Sequence, residues 1–394
     1  MKKFTTIILS IQVILLSNLY SAHPTLDALL EHISFGFYGN AAVGDTSTNP
    51  QTLAAGHHDP TREDGTVQGL EASVSARFEK LEAFATHNYS YGAEKKWEHG
   101  WEEAFIKLKD VVPDAEFRAG RALTRFGSKN AQHLHAWDEV DMPIVLGQFL
   151  GDDGLKMNGG DVTYFLPIQK FKSGFTLGYG KQLLEAHGEE EEEHGDEEEG
   201  HEEEEDHDEE HGHSDDFGRL RDRFFSAKFF SEYLFNDFHK IRFGTSLAVG
   251  ENHFDKDTWI TGIDFAYNWR ENGLEAGGKA FSLSTEILNR RIETTGSYEE
   301  NSISDSLNQL GAYVSGVYTF NPYLDLGARI GHMESLSELE VEDRTRLSPV
   351  ITVYPHKDRN VYLRLQYNHD EIGTNTEDGV WLQAGFAFGG SEVR

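Results

Sequence analysis

Cysteine is absent from the 394 residues, proline occurs nine times and methionine four. The lack of cysteine excludes a disulfide framework, a thiolate nucleophile and any Cys-ligated zinc or iron–sulfur centre. Basic residues are also scarce: 35 Lys and Arg against 68 Asp and Glu give a formal net charge of −33. Carboxylates in that excess repel a phosphate backbone, so nucleic acid is not an expected partner. Past the first two dozen residues, no stretch supplies the roughly twenty consecutive apolar residues that a membrane-spanning helix requires. Nucleophile motifs, a Gly-rich phosphate loop and HExxH are missing too, and no enzymatic activity is expected. Aromatic residues are abundant, with 26 Phe, 15 Tyr and 6 Trp. An acidic, disordered chain would not carry so many.

The first residues, Met1-Lys2-Lys3, precede an apolar run from Phe4 to Tyr20 that closes on the small residues Ser21 and Ala22. A charged start, an apolar middle and small residues at the cut describe a secretory signal peptide over 1–22, with the mature chain occupying 23–394. An uncleaved anchor fits less well, because the run is short and rich in hydroxyls. In an oxidising compartment, the absence of cysteine avoids stray disulfides.

The mature sequence alternates with a period of two. Leu70, Ala72, Val74, Ala76 and Phe78 interleave with Glu71, Ser73, Ser75 and Arg77, and Val361, Leu363, Leu365 and Tyr367 with Tyr362, Arg364, Gln366 and Asn368. The spacing predicts sixteen strands, near 32–43, 67–78, 82–91, 101–109, 114–125, 159–167, 172–182, 222–235, 237–250, 257–269, 277–290, 307–320, 323–331, 344–355, 360–369 and 379–388. Each is about ten residues, the length that a tilted strand needs to cross a bilayer. A soluble sandwich also alternates, but it has no reason to sort its connections by length. Here short turns follow the even-numbered strands and long loops follow most odd-numbered ones. That is the signature of an all-β, antiparallel transmembrane barrel of about 16 strands (14–18), with long extracellular loops and short periplasmic turns, in a bacterial outer membrane. Closure pairs every backbone group in lipid, and sixteen strands leave room for an aqueous lumen. Trp259, Trp269, Tyr318, Phe320 and Tyr323 fall near strand ends, where interfacial girdles belong.

One segment departs from this pattern. Residues 185–216 carry twenty carboxylates and six histidines with no Lys or Arg, and without them the net charge shrinks to −13. Such a segment buries no apolar face and is expected to be a disordered extracellular loop. Its histidines, His187, His194, His201, His207, His211 and His213, are candidate metal ligands, because imidazole and carboxylate together suit divalent transition metals. Exchangeable Zn²⁺ is the expected ion, there being no Met or Cys to favour Cu(I); no tightly bound cofactor is expected. His57 and His58 in the first long loop could join the set. The bland alternative is a solvated acidic screen.

The loop 126–158 is a candidate inward-folded constriction, by analogy with porins whose third loop enters the lumen. Within it, His133 and His135 with Asp138 or Asp141 could form a metal or substrate site, or could pin the loop to the wall. Arg77, Arg118, Lys240, Arg242, Arg329 and Arg364 fall on the expected lumen face, beside Glu71, Glu116, Asp264 and Asp325. Rings of charge set ion preference in a pore, and this mixture predicts neither sign.

Two stretches, Glu116–Gly154 with FRAGR, HLHAWD and FLGDDG, and Phe320–Phe388 with FNPYLDLGARI and RLSPVITVYPHKDRNVYLRLQYNHD, resemble a family of uncharacterised, zinc-related bacterial outer-membrane barrels. Its members are porin- or receptor-like, with a His/acid-rich extracellular loop, and some are described as TonB-dependent. The resemblance covers about a third of the chain and implies metal-related transport without fixing ligand residues. The chain departs from the family by ending in Gly389-Gly-Ser-Glu-Val-Arg394. Only Pro24–Glu31 lies between the signal and the first strand, too little for a plug, so TonB coupling is not expected. The expected partners are therefore outer-membrane lipid, small solutes or metal ions, and further copies of the chain in a homotrimer. Three functions stay open: a channel assisting zinc capture, a general diffusion porin with an acidic screen, and a surface adhesion barrel without transport.

Overall fold

A computed structural model describes residues 31–183 and 218–389, apart from 276, 299 and 300. The histidine–glutamate segment and the expected signal sequence therefore lie outside the described residues. The strands are β1 (Ile33–Thr46), β2 (Thr66–Arg77), β3 (Leu81–Tyr91), β4 (Trp97–Lys109), β5 (Ala115–Leu123), β6 (Lys156–Leu166), β7 (Phe171–Gln182), β8 (Arg223–Asn236), β9 (His239–Glu251), β10 (Asp257–Arg270), β11 (Ala280–Glu293), β12 (Ser297–Tyr298), β13 (Asn301–Ser302), β14 (Ser306–Asn321), β15 (Leu324–Met333), β16 (Arg344–Val353), β17 (Val361–Ile372) and β18 (Asn375–Gly389). Two short helices, α1 (Pro50–Leu53) and α2 (Ile144–Leu150), lie in the first and third long connections.

Sixteen of the strands form one antiparallel closed barrel, in which β1 pairs with β18 through partners such as Ala41 and Ala384. The small β12–β13 hairpin stands apart in the rim. All sixteen expected strands are present, with ends moved by a few residues. The largest shifts are at the start of β4, at Trp97 rather than 101, and of β18, at Asn375 rather than 379. No helix among the described residues is long and apolar enough to cross a membrane, which says nothing about crossing by strands.

The side chains are arranged inside-out relative to a soluble protein. Ile106, Ile263, Ile330 and Leu365 are exposed on the outer face, whereas Gln309, Gln366, Gln383 and Ser348 are fully buried inside. In water that distribution would forfeit the hydrophobic effect; in lipid it satisfies it. Trp259, Phe320 and Tyr323 are among the exposed aromatics.

Bulges modify the alternation at two places that matter for the interior. Between Thr86 and His87 the register of β3 on β4 shifts, so that Thr86 faces Glu103 and His87 faces Trp101. The extra residue, Glu102, turns inward together with Glu103. A second bulge, in β2, lies between Val67 and Leu70 and brings Gln68 into the interior.

The interior holds a second body of structure. Phe126, Leu134, Trp137, Ile144, Val145, Phe149 and Leu155 from the third long connection form an apolar core against wall residues such as Ile260, Leu288 and Tyr313. The room left by a sixteen-stranded wall is thus partly filled by packed side chains.

The outward face is the test of the lipid setting. Ile263→Arg, at a half-exposed site midway along β10, should lower the unfolding free energy in lipid vesicles by about 2–4 kcal/mol. Urea titration followed by tryptophan fluorescence measures it.

Candidate functional site: an inward-folded loop on a charged wall

Residues 124–155 leave β5, cross the barrel interior and return to β6. The entry is fixed by Glu286 on β11. Its Oε1 accepts the backbone N–H groups of Ser128 and Lys129, at 3.1 and 2.9 Å, and the hydroxyls of Ser128 and Tyr313, at 3.0 and 2.7 Å. Gly127 makes this approach possible: it has φ +55°, and a Cβ there would lie 2.0 Å from Glu286 Oε2. Its carbonyl accepts the Lys228 ammonium.

Further along, the loop presents Asp138-Glu139-Val140-Asp141 to three arginines on consecutive wall strands. Asp141 is buried, and each of its oxygens accepts two side-chain donors. Oδ1 takes Arg329 and Gln366, the latter at 2.7 Å; Oδ2 takes Arg346 and Asn368, both at 2.8 Å. Arg364 donates to the carbonyls of Glu139 and Trp137 at 3.0 and 2.8 Å. Glu139 is paired with Lys129 at 2.5 Å and with the Ser315 hydroxyl. Burial opposes the charge on Glu139, but the Lys129 and Arg329 cations override it and hold its pKa down at about 2. The same opposition, resolved by Arg329 and Arg346, places Asp141 well below the usual carboxylate range. Asp138 is exposed, at the edge of this network.

The first long loop closes the same structure. Asp59 accepts the N–H groups of Ala55, Gly56 and Met142, joining the two loops. The Leu53 carbonyl, at the end of α1, accepts Arg344 and Arg346. Gly147 in α2 sits directly on Ala55: a Cβ there would lie 1.6 Å from the Ala55 carbonyl oxygen. Gln68 ties His58, Val140 and Gln383 together.

Further round the wall, beyond β18 and β1, lies an acidic cluster. His133 is buried, with Nε2 2.7 Å from Glu103 Oε2 and Nδ1 3.1 Å from Glu102 Oε2 and 3.4 Å from Glu71 Oε2. His135 stacks on Tyr38, with ring centres 3.7 Å apart, and its Nδ1 is 3.3 Å from Glu71 Oε2. His58 Nδ1 meets the Gln68 carbonyl at 2.8 Å, and its Nε2 lies 3.8 Å from Glu102 Oε1. Burial favours the neutral ring, but the Glu102 carboxylate prevails and raises His58 to about 9.

The expected site residues thus separate. His133 and His135 come together, but with Glu71, Glu102 and Glu103 rather than with Asp138 or Asp141. Asp141 is committed to arginines on another sector, and that part of the expectation is corrected. Arg118, Arg329 and Arg364 are buried in the interior, Arg118 being paired with Asp161 at 2.6 Å. Arg77 and Arg242 are half-buried and continue the inward parity of their strands. His58 is occupied inside the barrel, and His57 lies 3.5 Å from Glu98. The six histidines from His187 to His213 lie outside the described residues. Sequence reasoning missed Glu102 and Glu103, whose adjacency breaks the alternation and was the one signal of a bulge. It also missed Arg346 and Glu286.

Above the loop, at the end that carries the long connections, a cavity of about 800 Å³ opens. It is lined by Glu94, Glu98, Asp152, Arg219 and Arg344 among others.

No family model matches the chain. An uncharacterized protein of Aquifex aeolicus (strain VF5) is 31% identical over 88 residues, 22% of this chain and 18% of that protein. The match therefore spans less than a fifth of the relative's length. Among solved structures, the anion-selective porin of Comamonas acidovorans superposes with a TM-score of 0.55 at 10% identity, covering 90% of this chain and 99% of that one. The trimer form of OmpT, an outer-membrane protein of Vibrio cholerae, gives 0.53 at 10% identity, over 90% and 99%. At such identities the likeness is one of fold. Fold and neighbours together define a porin-like, sixteen-stranded barrel of the bacterial outer membrane.

Removing the central anchor should release the loop. Asp141→Ala leaves Arg329 without its carboxylate in a buried setting, a loss of about 3–5 kcal/mol. Proteolysis of intact vesicles should then cut within 124–155, where the parent protein resists. The acid limit follows from Glu139. Its folded-state pKa of about 2 lies below the ordinary value of 4.5, so its contribution is complete above about pH 4.5 and disappears as the pH falls through about 2. The emission of Trp137, read as the difference from Trp137→Phe, should stay blue-shifted at pH 4 and move red near pH 2.

Proposed function

We propose that this barrel is an outer-membrane channel for small solutes, with the histidine–glutamate segment at its mouth collecting divalent cations, Zn²⁺ first among them. One observation carries the channel part: the inward-folded loop is pinned to defined sectors of the wall and the polar interior opens into the 800 Å³ vestibule. A loop held in this way sets a constriction without closing the barrel by chance packing. His133, His135, Asp138, Asp141, Arg77, Arg118, Arg242, Arg329 and Arg364 would line or shape that passage. Cation capture rests on composition: twenty carboxylates concentrate cations within a Debye length of about 8 Å, and six neutral imidazoles bind them. A C3 assembly follows the trimer form of the Vibrio cholerae barrel.

The wall gives a specific reason to weigh a general porin beside this reading. Arg118, Arg329 and Arg364 share the interior with Glu71, Glu116, Asp264 and Asp325, a mixture that imposes no single sign.

Planar-bilayer recording decides the channel: stepwise conductance supports it, and a silent, folded barrel would leave only an anchor for adhesion. Deleting 185–216 should preserve conductance while slowing growth under zinc starvation. Unchanged growth would identify the segment as an acidic screen. In calorimetry, a peptide spanning 185–216 should bind Zn²⁺ more tightly than Mg²⁺.

A further inference from the structure

We infer that Glu71, Glu102 and His133 form a buried binding site for one divalent first-row metal ion inside the barrel wall, distinct from the histidine–glutamate segment. The site does not depend on conduction or on capture at the surface.

The geometry is that of a ligand set. Around a tetrahedral metal with bonds of about 2.0–2.1 Å, donor atoms lie about 3.3 Å apart. His133 Nδ1 stands 3.1 Å from Glu102 Oε2 and 3.4 Å from Glu71 Oε2, and all three donors fall within 4.8 Å of one another. His133 is held in the required tautomer. Its Nε2 is 2.7 Å from Glu103 Oε2; donating a proton there leaves the Nδ1 lone pair facing the two glutamates. A carboxylate behind a ligating imidazole is the usual outer support of such a ring, fixing its orientation and raising its basicity.

An independent feature is the Glu102 carboxylate. Its Oε1 faces His58, and its Oε2, which points into the cluster, is buried with the His133 ring 3.1 Å away but without a well-aligned hydrogen bond. Glu102 itself is only 6% exposed. A buried carboxylate oxygen whose hydrogen bonding is incomplete costs roughly 1–3 kcal/mol, and here Glu102 is one of three glutamates crowded round one imidazole. A divalent cation resolves both costs together. The fold has gone out of its way to make this cluster: without the β4 bulge, Glu102 and Glu103 would point to opposite faces.

An approach exists from the vestibule. His57, Ser90 and Glu98 line the large cavity and also a smaller one of about 20 Å³, whose other walls include His99, Asp153 and Glu102. A cation entering from the long-loop end thus meets Glu98, His57, His99 and Asp153 before Glu102, with the Lys156 ammonium on the same wall. Two carboxylates and one imidazole suit Zn²⁺, Mn²⁺ or Fe²⁺ and offer nothing soft for Cu(I).

The full chain, folded in detergent micelles, is stripped with chelator, reloaded with Zn²⁺ and desalted. One equivalent should remain. Glu102→Gln and His133→Gln should each lose it, and Glu103→Gln should weaken binding about 10–100-fold. Loading with Co²⁺ should give visible d–d bands that Glu102→Gln lacks. Mobility of unheated samples on gels confirms that each variant is a closed barrel. Deleting 185–216 should leave the equivalent in place. The proposal is overturned if folded Glu102→Gln retains the metal or if the parent retains none. Loss of metal only in the deletion variant would also overturn it, while supporting capture by the surface segment.

Discussion

The carboxylate of Asp141 is the contact on which the interior depends. It receives Arg329, Arg346, Gln366 and Asn368, joining the third loop to β15, β16 and β17. Closing a 32-residue loop costs roughly 3 kcal/mol in chain entropy, and burying two guanidinium groups costs more unless they are paired. One doubly bridged carboxylate offsets both. It also explains the density of side-chain amides nearby: Gln366 donates to Asp141 while accepting the Val140 N–H, so no polar atom of that pair is wasted. Apolar packing then completes what charge positions. Phe149 lies under Arg290, its ring centre 4.8 Å from the guanidinium carbon.

The molecule thus combines two opposite solutions to solvation. The wall exposes its apolar residues to lipid and turns its polar ones inward. The loop, facing that polar interior, builds a core of the kind found in a small soluble protein. The two meet at a polar seam, which is why Arg290, Arg329 and Arg346 rank among the largest fully buried side chains. Residues that a soluble fold would keep at its surface are here the glue between layers.

The wall was legible because a period of two survives in any strand with lipid on one side. Its ends were less so: β4 begins at Trp97 and β18 at Asn375, because strands that run on beyond the bilayer no longer need an apolar outer face. Arg329 and Arg364 were found by parity alone. The pairing of Asp141 with Arg329 spans 188 positions, a separation that no local pattern encodes. Glu102 and Glu103 escaped for a different reason. A bulge changes parity within one strand, and simple alternation assigns one of two adjacent glutamates to lipid, where it would be ruinous. The pairing His-x-His was visible as such; its acidic partners sit on β2 and β4, strands that a loop motif does not announce.

The loop carries its charges in the order that the wall demands. His133 meets the glutamates of β2 and β4, and eight residues later Asp141 meets the arginines of β15 to β17. Reversing the loop would set imidazole against guanidinium and carboxylate against carboxylate, a cost of several kcal/mol. Electrostatics therefore fixes the direction in which the loop crosses the barrel, as well as its attachment.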